Sequence, residues 1–189
     1  MSVMPIYLYG NQVLKKKAIP VKEINDEKVR IIMDMLETMK KANGMGLAAN
    51  QVGLSDAIIV IDLTEVDDAK DEPLGIIKEH KKPLIFINPK IIDSWGEWSL
   101  EEGCLSIPDL RIEVVRPEFI KITYRDGNFD EQHLEIGGLL SRVIQHEYDH
   151  LNGILFPERI DKQKLVEFKE QIKSIKRGEI EADYPVIIA

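Results

Sequence analysis

The sequence predicts an α+β domain in which antiparallel strands in short sheets pack around a central helix carrying a His-Glu-x-x-His motif. Three observations carry that expectation. The apolar runs Ala57 to Asp62 and Leu84 to Ile87 are short and rich in isoleucine, which suits strands. Two longer stretches repeat their apolar residues at helical spacing. The pieces follow one another without the strand-helix alternation of a parallel sheet.

The first helix is expected over 25 to 43. Asn25 can cap it, Asp26 and Glu27 suit its positive first turn, and Val29, Ile32, Leu36 and Met39 form one apolar stripe. Asn43 and Gly44 end it. A polar connection, Leu63 to Lys82, separates the two isoleucine-rich strands. From Ile112 to Tyr124 the residues are β-branched and aromatic, and Asp126-Gly127-Asn128 then turns the chain into a strand over Phe129 to Ile136, an antiparallel hairpin. Gly137 and Gly138 break that strand. Leu139, Leu140, Val143, Ile144, His146, Glu147, His150 and Leu151 then share a broad helical face closed by Asn152-Gly153. A third helix is expected over 161 to 177, with Lys162, Lys169, Lys173 and Lys176 in a basic stripe, followed by an extended Tyr184 to Ala189. Residues 1–160 form the catalytic domain on this reading, with the helix and tail of 161–189 packed on it.

With 189 residues, 44% of them hydrophobic and 31% charged, the chain can bury one core and stay soluble. A formal charge of -8 argues against a surface built to coat DNA, because phosphate binding draws on clustered Lys and Arg. No stretch approaches the roughly 20 apolar residues of a membrane span, and the opening MSVMPIYLYG lacks the layout of a signal peptide. A cytoplasmic protein without a membrane partner is expected. The single cysteine, Cys104, excludes a disulfide within the chain and leaves that residue as core filler, reactive thiol or metal ligand.

His146-Glu147-Tyr148-Asp149-His150 is the strongest local signal. Imidazoles four residues apart on a helix lie one turn apart on one face, where both can bind one ion. Glu147 stands beside them, where a carboxylate can move the protons of a water. A catalytic ion needs a third protein ligand. Cys104, in Glu102-Gly103-Cys104-Leu105-Ser106, is one candidate, although a lone cysteine is more often buried filler. Glu170 is the other, at the distance found in zinc endopeptidases of the thermolysin type, but helical counting turns it to solvent, away from Phe168, Ile172 and Ile175. An interaction domain with a closed structural Cys-His-His site would need a fourth ligand. His80 and His133 are isolated and receive no role.

A further segment, Gly44-Met45-Gly46-Leu47-Ala48-Ala49-Asn50-Gln51, pairs small residues with an amide side chain. Taken in order with Glu-Gly-Cys-Leu-Ser and Gln-His-Glu-x-Asp-His, it resembles the three signature motifs of the peptide deformylase family, and the likeness runs from about Ile6 to Phe156. The resemblance implies removal of the formyl group from N-formyl-methionyl termini of new polypeptides, with release of formate. It implies Cys104, His146 and His150 as metal ligands and Glu147 as catalytic acid and base, with Gln51 and the N–H of Leu105 on the developing oxyanion. The substrate pocket maps onto Met45, Gly46, Glu102, Gly103, Leu139 and Val143, with Arg111 near the bound peptide backbone. It also implies ferrous iron, although a thiolate and two imidazoles accept zinc, nickel or cobalt as well and raw affinity favours zinc over ferrous ion. Iron beside a lone thiolate is expected to lose activity in air. The ribosome near the nascent-chain exit is a candidate partner of the lysine stripe, against the plainer reading of a solvated face. Asn50 stands where relatives frequently have proline and can loosen the loop that aims Gln51. The stem of Arg142 can pack on apolar atoms and send its charge to water.

Overall fold

The computed structural model describes residues 2–66 and 82–189. Most of the connection from Leu63 to Lys82, and His80 with it, lies outside the described residues. The described strands are β1 (Ile6–Tyr7), β2 (Gly46–Ala48), β3 (Ile58–Ile61), β4 (Leu84–Trp95), β5 (Trp98–Cys104), β6 (Ile107–Arg116), β7 (Phe119–Arg125), β8 (Glu131–Ile136) and β9 (Val186–Ile187). The helices are α1 (Asp26–Lys41), α2 (Gly138–Leu151), α3 (Lys162–Val166) and α4 (Lys169–Lys176). An antiparallel five-stranded sheet runs β2-β3-β4-β7-β8; β5 and β6 form an antiparallel pair, and β1 pairs with β9 in parallel. This is the α+β arrangement the sequence predicts.

β3 explains the layering. Its four residues, Ile-Ile-Val-Ile, are all buried. Alternation sends Ile58 and Val60 to one face, where they join Ile32, Met35 and Met39 of α1, and sends Ile59 and Ile61 to the other, where they join Leu140, Val143 and Ile144 of α2. The sheet is therefore sandwiched between two helices. A third cluster lies beyond α2, where Ile107, Leu110, Ile112 and Val114 of β6 meet Phe156 and the buried Ile172 and Ile175 of α4. α2 is thus enclosed on nearly every side, with thirteen of its 14 residues buried.

Several boundaries follow local chemistry. The side chain of Asn25 accepts from the Lys28 N–H at 3.0 Å to start α1, and Asn43, with a left-handed φ of 54°, takes the chain out of it. The buried stripe is Ile32, Met35, Thr38 and Met39, so the expected Val29 lies exposed: α1 is rotated to seat Met35 against the sheet. The Ile112 to Tyr124 piece is two strands, because Pro117 interrupts it and hands the chain from the β5-β6 pair to the large sheet. The third helix is broken as well: α3 ends at Val166, and α4 restarts at Lys169 with its own apolar side on β6. Lys162 therefore belongs to a different helix from Lys169, Lys173 and Lys176. The terminal strand pairs with β1 and not with the five-stranded sheet.

Candidate active site

Three elements converge on one point. α2 carries His146, Glu147 and His150; β5 ends on Cys104; and the segment after α1 passes through β2 into a 3-10 turn, 49–52, that carries Gln51. Cys104, His146 and His150 bring one ligand atom each to within 4.8 Å of one another. Cys104 Sγ and His150 Nε2 are 3.2 Å apart. Ligands bound tetrahedrally at about 2.1 to 2.3 Å from an ion stand roughly 3.5 Å apart, so the set fits a divalent metal. Among the described residues the group has three members, which suits a site that keeps a position for water. Glu170 is exposed on α4, where Lys173 Nζ lies 2.7 Å from its carboxylate, and it is no part of the group.

The partners of each side chain decide what it can do. His146 Nδ1 donates to Glu102 Oε2 at 2.9 Å, which leaves Nε2 for the ion. Burial opposes a charge on His146, yet its hydrogen bonds with Cys104 and Glu102 and the nearby anionic groups raise its pKa well above the ordinary value. His150 goes the other way, pushed well below by burial and then by the neighbouring His146. Both directions express one dense anionic and imidazole cluster. Glu147 is buried, its Oε2 has no hydrogen-bond partner, and burial pushes its carboxyl up to about 7. Gln51 is aimed by its own loop: Oε1 accepts from the Ala48 N–H at 2.8 Å, and so its amino group faces Cys104 Sγ at 3.6 Å and Ser106 Oγ at 3.3 Å.

Cys104 and His146 of the group, with Gln51 and Glu147, line a cavity of about 390 Å³. Met45, Gly46, Glu102, Gly103, Arg111, Leu139 and Val143, all expected from sequence, line it together with Leu105. Sequence reasoning missed Leu100 and the tail residues Glu181 to Tyr184, which line it too. It also missed the ion network beneath. Glu102 accepts from Arg116 Nε and Nη2 at 2.6 and 3.0 Å and from Arg142 Nη1 at 2.9 Å, while Arg116 Nη1 reaches Asp149 at 2.6 Å. A signal was there: along β6, residues 108, 110, 112 and 114 alternate inward, and position 116 of that series is an arginine. A charge at an inward position demands buried partners.

Two expectations need correction. Arg142 does not send its charge to water; it is buried, bonded to Glu102 and to the carbonyls of Val114 and Trp98, with its guanidinium over the Trp98 ring. Asn50 does not loosen its loop; its buried side-chain amide donates to the His150 carbonyl and ties the loop to α2.

Comparison with known proteins fits this geometry. The sequence profile of the polypeptide deformylase family matches residues 3–166. The chain belongs to that family. A peptide deformylase of Salinibacter ruber is 43% identical over 98% of this chain and 94% of its own, and one of Chlorobium phaeobacteroides strain BS1 is 43% identical over 97% and 95%. Among solved structures, the peptide deformylase of Ehrlichia chaffeensis in complex with actinonin superposes with a TM-score of 0.82 at 34% identity, covering 96% of this chain and 100% of that one. That of Synechococcus elongatus, also in complex with actinonin, gives 0.76 at 39% identity over 93% and 87%. Within this deformylase fold, the Cys-His-His group comes from the second and third motif segments, and all three segments line the cavity together with β6 and the tail.

Proposed function

We infer that this deformylase hydrolyses the formyl group of N-formyl-methionyl termini of newly made polypeptides, in the cytoplasm, with release of formate. One observation carries the assignment of residues: a thiol and two imidazoles meet beside a buried carboxylate, and the thiol, one imidazole and the carboxylate face a cavity of about 390 Å³. Cys104, His146 and His150 would hold one divalent ion, which would supply Lewis acidity. Ferrous iron is the ion assigned here, on family membership; the ligand set itself also suits zinc, nickel or cobalt.

Glu147 takes the proton of the attacking water and returns it to the departing amine, a task suited to a carboxyl whose ordinary value has been pushed up to about 7. The Gln51 amino group and the N–H of Leu105 donate to the oxygen that gains negative charge. Gln51 is fixed in advance by Ala48, so little reorganisation is needed as the charge develops. Leu139, Val143, Met45 and Gly46 receive the methionine side chain. Gly103 lets the following peptide approach, and Arg111 lies beside its backbone; a Cβ at position 103 would come within 2.9 Å of the Arg111 guanidinium. Glu102 acts through His146 and not on substrate, since its carboxylate is taken up by that ring and two arginines.

The ribosome finds less support. Lys173 is paired with Glu170, Lys176 lies over the Tyr9 ring at 5.1 Å, and Lys162 is on another helix, so a solvated face accounts for the lysines. The test of the whole reading is formate release from a formyl-methionyl tripeptide. Glu147→Ala should abolish it, and Gln51→Leu should lower kcat about 10²- to 10³-fold with the fold intact. Wild-type rates in either variant would remove that residue from the mechanism.

A further inference from the structure

The C-terminal segment reaches the active site by a route the three motifs do not supply. Glu181 to Tyr184 line the cavity, and directly after them the tail is fastened to β1: the Ile6 N–H donates to the Pro185 carbonyl at 2.9 Å and the Leu8 N–H to the Ile187 carbonyl at 2.8 Å. The same edge then holds the turn that follows Cys104. The Tyr9 N–H donates to the Ser106 carbonyl at 2.8 Å, and the Tyr184 hydroxyl donates to the Leu105 carbonyl at 2.9 Å. On its other side Leu105 is wedged against Gly44, where a Cβ would come within 2.7 Å of Leu105 Cδ1.

We propose that Tyr184 is a positioning residue for deformylation: by holding the Leu105 carbonyl, its hydroxyl sets the rotation of the turn and thereby the aim of the Leu105 N–H at the developing oxyanion. This rests on the role given to Leu105 above. A donor to such an oxygen works only when aligned, because hydrogen bonds weaken steeply as their angle departs from linear. The Leu105 N–H belongs to the peptide before the held carbonyl; with Cys104 paired to Ile107 on one side, the Leu105 side chain packed on Gly44 and the Ser106 carbonyl held by Tyr9, the Tyr184 tether fixes the peptide plane on the other side of Leu105.

The test is Tyr184→Phe in the full-length, metal-loaded enzyme, which keeps the ring and removes the hydroxyl. Deformylation of a formyl-methionyl tripeptide is measured beside Glu147→Ala. Misaim costs less than loss of a donor, so kcat should fall about tenfold. KM should stay within about twofold, the unfolding midpoint should hold, and the Leu105 amide resonance should move in an NMR spectrum. A wild-type kcat, a rise in KM alone, an unmoved Leu105 resonance, or a rate loss that matches a loss of folded protein would overturn the proposal. Glu147→Ala separates the two levels. If it is inactive while Tyr184→Phe runs at the wild-type rate, the Tyr184 role alone fails; if Glu147→Ala is fully active, the site assignment fails and the Tyr184 role with it.

Discussion

Glu102 shows how much a single side chain can hold. Its two oxygens accept from Arg116, Arg142 and His146, and these bonds outweigh the burial that would otherwise protonate it, so its pKa is lowered. Removing one partner from such a group leaves charge buried and uncompensated, which costs far more than an exposed pair is worth. Arg142→Met should therefore destabilise the protein by about 3 kcal/mol in urea unfolding. A change inside about 0.5 kcal/mol would mean that water replaces the guanidinium. Asp62 allows a pH test away from the ion site. Burial raises its pKa, but bonds from Thr64 and Lys40 outweigh that and lower it from 3.8. A depressed carboxylate contributes stability above its unfolded value and loses it as pH falls through the folded one. Asp62→Asn should thus cost about 1 kcal/mol at pH 7, with the gap to wild type closing as pH falls below 3.8. A pH-independent gap would contradict this.

At the scale of elements, the active site depends on how closely β2 lies against α2. Gly46 is what permits it: a Cβ there would stand 2.7 Å from Glu147 Oε1 and 2.9 Å from Val143 Cγ1. Gly46→Ala should push the carboxylate out of line and lower kcat/KM about 100-fold or more, with only a small shift in unfolding midpoint. Undiminished kcat/KM would show that Glu147 needs no such placement. Elements set by local signals were legible in sequence. The Asn25 cap and acidic first turn gave α1, and the Asp126-Gly127-Asn128 turn gave the β7-β8 hairpin. Elements set by partners were not. Val29 looks as apolar as Ile32 until Met35 claims the sheet, and nothing local says that Pro117 divides two sheets or that Val186 and Ile187 will lie beside β1.

At the scale of the molecule, residues 51, 104 and 146 are far apart in the chain, and only the closed fold makes them neighbours. Their identity was legible because each sits in its own motif, whereas Arg116 and Tyr184 sit in none, and they, like the part Asp149 plays as the partner of Arg116, became visible only once β6, α2 and the tail were packed together. Arg142 and Asn50 were misread for the same reason: an arginine on its own suggests solvent and an asparagine in a proline's place a looser loop, and only the surroundings reveal the carboxylate and carbonyls that bind them. No helix among the described residues is long and apolar enough to cross a membrane. What the fold builds is one place where a sulfur and two ring nitrogens meet. Metal content of protein prepared without air, compared between wild type and Cys104→Ala, tests that most directly. The account predicts one divalent ion per wild-type chain, iron in the native protein, and its loss from a folded Cys104→Ala; a full complement of metal in Cys104→Ala, or none in the wild type, would contradict it.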